Sequence, residues 1–224
     1  MANKFFGSVK LGGEIEKIEV INPKPLATGR VIVKNKQNDQ SHLVMGFKGL
    51  SGFDKRIHTL YVLSMILGGG MSSRLFREIR EKRGLAYYVG AGEIIGSDYG
   101  HFVVRAGVAH NNLIKSLRVI IKEINKIKKQ IPTLAEMQKV KSRIEGLTAL
   151  SIEESSGIAF DVGTDELIYK KIETPLETIE KINGVKASHV MELANDIFKK
   201  DMARLAIIGP HSSKKELEEI LNII

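Results

Sequence analysis

The hydrophobic positions change period along the chain, and the changes mark out its elements. "RVIVKN" (30 to 35) alternates apolar and polar residues and predicts a strand, and "SHLVMGFKGL" (41 to 50) predicts a second. Asp54 is a candidate N-cap for a helix running to Leu67, whose centre "LYVLSMIL" is apolar on nearly all sides and therefore expected to be buried. Gly68, Gly69 and Gly70 stop that helix. A short helix follows from about Ser73 to Arg83, with Gly84 as its C′ residue. "GLAYYVGAGEII" and "GHFVVRAGVA" predict two neighbouring strands joined near Gly96, Ser97 and Asp98. Gly90 and Gly92 thin the first of these and mark a bulge or a close backbone approach.

From Asn111 the period becomes 3.6, with Leu113, Leu117, Ile120, Ile124 and Ile127 on one face. Pro132 ends this helix, and Thr133 with Glu136 forms a capping box for a long one after it. Thr174 and Glu177 form another box, with Pro175 at the first helical position. Ser188 opens a helix to about Lys199, "ARLAIIG" (203 to 209) is a late strand, and 213 to 223 is a closing helix. Strands come first, helices cluster after them, and one strand returns. The expected fold class is α+β: a mostly antiparallel sheet with helices packed on one face. Residues 1 to 26 are poorly periodic and run into "NPKPLATG" (22 to 29), which favours an extended connector. Neither an internal repeat nor a second domain boundary is visible.

The totals narrow the function only a little. The chain has 224 residues, enough for a sizeable core. Its 34 Lys and Arg against 26 Asp and Glu give a formal net charge of +8. The basic residues lie on predicted helices among glutamates, and no aromatic–basic interleaving accompanies them. A lysine-coated surface explains the charge better than a nucleic-acid platform, so no nucleic-acid partner is expected. With no cysteine, thiolate catalysis, disulfides and Cys-based zinc sites are excluded. The first twenty residues lack the apolar core of a signal peptide, and no run approaches the ~18 apolar residues of a membrane span. The expectation is a soluble, cytoplasmic chain with no membrane partner.

Most familiar chemistries fail on the residues themselves. The glycines at 68 to 70 are followed by Met71, Ser72 and Ser73 rather than the Lys and Ser/Thr of a phosphate loop, and they follow a helix rather than a strand. None of the six histidines begins H-E-x-x-H or H-x-x-E-H. The nearest approach is His189 and Glu192 on one helix, with Leu193 where a second imidazole would have to stand. No metal is assigned to this chain. G-x-S-x-G is absent too, and Ser155 and Ser156 have no base nearby in sequence.

The segment after the glycines remains. It reads as a surface helix with Arg74–Glu78 and Arg77–Glu81 as i,i+4 pairs and with Leu75, Phe76 and Ile79 as its buried face. A second reading starts from Arg80 at the helix end and Tyr87 just inside the next strand. A planar guanidinium fork and a phenol that converge there could hold a peptide backbone or polarise a carbonyl.

"LGGGMSSRLFREIREKRGLAYYVGA" closely resembles a signature of the pitrilysin/insulinase family of zinc metallopeptidases, which includes the mitochondrial processing peptidases and the core subunits of the cytochrome bc1 complex. The resemblance covers most of the chain: "QSHLVMGFKGL", the helices from 111 to 160, "TPLETIEKINGVKASHVMELANDIF" and "ARLAIIGP" fall in the expected order. It implies half of a processing-peptidase-like clamshell built from two homologous α+β halves. One half carries the inverted zinc motif H-x-x-E-H, and this chain lacks it. The chain thus resembles the non-catalytic C-terminal half, predicted to be inactive alone, with zinc expected in the partner half and none here. "NKFFGSVK" is similar to the close of the preceding half. That implies a tail and connector over 1–27 and a single inactive peptidase-like domain over 28–224. By the same resemblance Arg80 and Tyr87 orient substrate in the partner's active site, while Gly68, Gly69 and Gly70 line the chamber and bind peptide. The implied partners are a zinc-bearing homologous half or subunit and a peptide or unfolded polypeptide. The alternative is a structural assembly subunit without a proteolytic role.

Overall fold

In the computed structural model, the described residues are 1–9, 12, 20, 21, 24–26 and 28–224. Most of the expected connector over 9–27 lies outside them. Five strands build one sheet: β1 (Val31–Asn35), β2 (Ser41–Lys48), β3 (Ala86–Ile95), β4 (Gly100–Val108) and β5 (Arg204–Gly209). Their order is β1-β5-β2-β4-β3. Strand β5 pairs parallel to β1, and every other pairing is antiparallel. The expected α+β class and largely antiparallel sheet are what the structure has.

The helices are α1 (Ala2–Phe6), α2 (Ile57–Gly68), α3 (Leu113–Lys129), α4 (Leu134–Ser151), α5 (Ser155–Thr164), α6 (Pro175–Gly184), α7 (Ala187–Ile197) and α8 (Lys215–Leu221). Burial in β2 alternates strictly. Ser41, Leu43, Met45 and Phe47 are buried while Val44 and Lys48 are exposed, as the period of two requires for a sheet covered on one side. Phe47 and Phe102 both set their rings edge-on to Phe198, just after α7, at 5.0 Å. Helix α2 is buried nearly all round, and the predicted α3 face, Leu113 to Ile127, is wholly buried.

The caps follow the sequence with adjustments. Thr174 and Glu177 close the expected box on α6. Thr133 Oγ1 accepts from the Glu136 N–H at 3.2 Å, but the Glu136 carboxylate turns instead to Arg74. Arg56, not Asp54, is the N-cap of α2. Asp54 Oδ1 accepts the Arg56 N–H at 2.8 Å one turn earlier, and the same carboxylate takes the Arg56 guanidinium.

Candidate functional site

The segment from Ser73 to Tyr88 departs from regular structure twice. Arg74 and Leu75 begin an α-turn, but Phe76–Glu81 is π-helical. The Lys82 N–H donates to the Arg77 carbonyl, five residues back, at 2.9 Å. A π-turn holds one more residue than an α-turn, so side-chain neighbours move. The expected i,i+4 pairs at Arg74–Glu78 and Arg77–Glu81 do not form. Glu78 instead takes Lys82 Nζ at 2.5 Å and Arg83 Nη1 at 2.6 Å. The Lys82 hydrogen bond and then that of Arg83 pull the Glu78 carboxyl down to about 2. Arg74 reaches Glu136 on α4 in a two-pronged pair at 2.8 and 2.7 Å. Leu75 and Ile79 are buried as expected, while Phe76 is half-exposed and lies under Arg80, whose guanidinium carbon is 5.3 Å from the ring centroid.

The turn after the π-helix is tied down by its main chain. The Gly84 N–H donates to the Arg80 carbonyl at 3.1 Å, and the Leu85 N–H to the Ile79 carbonyl at 2.9 Å. Gly84 has φ +59°, the left-handed conformation expected of a C′ glycine. The second departure comes at once. Ala86 pairs with Val108 and Tyr88 with Gly107, so two steps on β3 match one on β4 and Tyr87 is the extra residue of a β-bulge. The bulge falls here and not at Gly90 or Gly92. Sequence reasoning missed it because a bulge is defined by the partner strand's register, which no local pattern contains.

Both predicted residues therefore sit at irregularities on either side of one pinned turn. Arg80 is exposed and Tyr87 is 57% exposed. Among the described residues Arg80 has no ion pair and Tyr87 no hydrogen bond, and the two side chains do not bond to each other. Tyr88, which sequence reasoning passed over, lies on the open side of the sheet, where its hydroxyl is 3.0 Å from His42 Nδ1.

The glycine run has a packing role. A Cβ on Gly68 would stand 1.9 Å from the Ala91 nitrogen, so glycine is what lets the end of α2 touch β3. Arg143 on α4 lies over Gly70 and donates from Nε to the Gly69 carbonyl at 3.3 Å. Gly68 is thus held against the same edge strand that carries Tyr87, while Gly69 and Gly70 face Met65 and Arg143. A large cleft lies at the far end of that strand, by Lys48, Tyr99 and His101.

The residues present do not fit a zinc site. Among the described residues no group of three or more His, Asp or Glu side chains could hold a metal. His189 Nδ1 instead accepts the Lys186 N–H at 3.4 Å, on the exposed side of α7. Nor is any helix among the described residues long and apolar enough to cross a membrane.

The family described as "Peptidase M16 inactive domain" matches residues 1–144. The chain belongs to that family. It is 34% identical over 207 residues to a Bacillus subtilis protein named "uncharacterized zinc protease YmxG", covering 92% of this chain and 49% of the relative. A Rickettsia felis protein, also named a zinc protease, is 33% identical over 211 residues, covering 94% and 50%. The chain thus spans about half the length of these relatives. Two solved structures share the fold. One is a protease from Helicobacter pylori, with TM-score 0.80 and 24% identity over 93% of this chain and 50% of that one. The other is a peptidase M16 inactive domain from Pseudomonas fluorescens, with TM-score 0.79 and 21% identity over 90% and 48%. Both are half-matches to longer chains.

Proposed function

We propose that this chain is the substrate-orienting, non-catalytic half of a zinc-dependent peptidase and works opposite a homologous half that carries the zinc. One observation carries this reading. The π-turn bearing Arg80 and the bulge bearing Tyr87 flank a single pinned turn, and among the described residues Arg80 has no ion pair and Tyr87 no hydrogen bond. Irregularities of this kind cost regular hydrogen bonds and concentrate where a side chain must be aimed. Membership of an inactive-domain family and the chain's match to half the length of its zinc-protease relatives also support the reading.

In this account the Arg80 fork holds a substrate carbonyl or carboxylate, and the Tyr87 phenol donates to an oxygen that gains charge as the scissile carbonyl is attacked. The phenol donates without needing to ionise, so the contribution is positioning and polarisation. The attacking water, its activation and the general base belong to the partner half. Gly68, packed against β3, together with Gly69 and Gly70 would line the chamber and contact the peptide. Substitution in the paired enzyme tests this. Arg80→Ala should lower turnover about a hundredfold, and Tyr87→Phe should lower kcat more than it raises KM. In both, the melting temperature should change little, since Tyr87 has no hydrogen bond to lose among the described residues and Arg80 gives up only an exposed contact with the Phe76 ring. Unchanged turnover in both variants would leave a structural assembly role as the better reading.

A further inference from the structure

Val140 and Ile182 are both buried, yet every residue between them, from Lys141 to Lys181, is at least partly exposed. The stretch holds the second half of α4, all of α5, a π-helical turn over Asp165–Tyr169 and the start of α6. Its exposure does not come from a polar composition. Ten of its large apolar side chains are exposed, among them Leu150 at 63%, Phe160 at 74% and Leu167 at 75%. So many within one stretch is not the scatter of single apolar residues that any surface carries.

Helix α5 states the problem most sharply. It has ten residues, two of them Gly157 and Gly163. A helix so short and so rich in glycine is marginal in water and depends on packing an apolar face. Ile158 and Val162, one turn apart, form such a face, and both are exposed. The stretch is held by its ends instead. Tyr169 covers Gly52 and sets its ring edge-on to Phe53 at 5.2 Å. Glu173 accepts from His58 Nε2 at 2.7 Å and from the Thr178 hydroxyl at 2.9 Å. These ties fix where the stretch lies and leave its apolar side chains in water.

We propose that the surface from Leu147 to Leu167 is the docking face for the homologous zinc-bearing half, whose covering surface is apolar and edged with Lys or Arg. The proposal rests on the reading of this chain as the substrate-orienting half, and it names where that partner sits. Three observations choose the occupant. The relatives are about twice as long as this chain, so in them a second body of similar size is present to cover the surface. The surface also starts beside the glycine run, because Arg143, one turn before Leu147 on α4, donates to the Gly69 carbonyl. A half that closes over that wall comes down on the apolar stretch next to it. Finally, residues 144 to 169 contain six Asp or Glu and no Lys or Arg, in a chain of net charge +8. A second copy would set the same acidic face against itself across a two-fold axis, so a different, basic surface is the better fit.

The test mixes this chain with the zinc-bearing half and reads amide exchange and, by analytical ultracentrifugation, association. Amides from Ile158 to Tyr169 should exchange fast in this chain alone and slow about tenfold or more on pairing. Phe160→Asp and Leu167→Asp should each weaken association about tenfold or more. The melting temperature of this chain alone should stay unchanged, because neither side chain is buried. Asp161→Lys and Glu166→Lys should weaken association less, and most at low salt. Wild-type association by both Asp variants, exchange over 158 to 169 that pairing leaves unchanged, or no association of the wild-type pair would each overturn the proposal. So would the same slowing produced, with the zinc-bearing half absent, by raising the concentration of this chain or by adding a Lys/Leu peptide. The substrate-orienting reading fails separately. It falls if Arg80→Ala leaves turnover unchanged while pairing still slows exchange over 158 to 169. The docking face falls alone if Arg80→Ala lowers turnover in a pair that associates without Phe160 and Leu167.

Discussion

The two faces of the sheet are built from the same strands, residue by residue in alternation, yet they answer to different demands. On the helix side, Leu43, Met45, Phe102, Val104 and Ile207 are at most 1% exposed. They are large, apolar and interlocked with α2, α3 and Phe198. On the other side Val44, Ile94 and Ile208 are each close to 40% exposed, while Val103 on the central strand between them is only 8% exposed. A core face is explained by what it excludes, namely water. The other face mixes aliphatic residues with exposed cations such as Lys48 and Arg105. The rim where the faces meet, at the start of β3, is where the backbone departs from regularity and where Arg80 and Tyr87 project.

The comparison breaks most readily at Phe102 and Arg105, neighbours on β4 with opposite orientation. Phe102→Ala should cost about 3–5 kcal/mol in chemical denaturation, the usual penalty for emptying an aromatic site in a packed core. Arg105→Ala should cost less than about 0.5 kcal/mol. Similar losses at the two positions would mean that the open face is structural after all.

The rim should be intermediate. Glu136→Ala leaves the largely buried Arg74 guanidinium without its carboxylate and should destabilise by roughly 1–3 kcal/mol. It should also loosen the turn bearing Arg80, read as faster amide exchange at Gly84 and Leu85. Glu78 sharpens the same point through pH. Its folded value, about 2, lies below the ~4.3 of an unfolded chain. Its contribution is therefore fully present above ~4.3 and lost as pH falls toward 2. The stability gap between wild type and Glu78→Gln should be constant from pH 8 to 5 and close below ~4.3. A gap that persists to pH 2 would show that the carboxylate's charge is not what holds Lys82 and Arg83. A gain rather than a loss is expected at Gly46, where Gly46→Ala should stabilise by up to about 0.5–1 kcal/mol, because no described atom stands within 4 Å of the added methyl.

What the sequence disclosed follows the range of the interactions involved. Local rules located the α3 stripe, the Thr174–Glu177 cap and the left-handed Gly84, each set by residues within a turn or two. Their place after the glycine run drew attention to Arg80 and Tyr87, the resemblance implied their role, and the structure shows how their backbone is held. Non-local facts stayed hidden. Nothing in "ARLAIIG" says that β5 inserts between β1 and β2, parallel to one and antiparallel to the other. Nothing near Arg74 announces that Glu136, sixty-two residues on, will displace Glu78 as its partner. The π-turn and the Tyr87 bulge each arise because the chain carries one residue more than its neighbours need, a count visible only once the neighbours are in place.

The central claim concerns Arg80, and the most direct measurement is a peptide-cleavage assay of the zinc-bearing half supplied with this chain, either wild type or Arg80→Ala, with association measured in parallel. The account predicts that the zinc-bearing half is nearly inactive alone and that the wild-type chain restores cleavage. Arg80→Ala should associate as tightly yet leave turnover about a hundredfold lower. Full cleavage without this chain, or wild-type turnover with the Arg80→Ala chain, would contradict it.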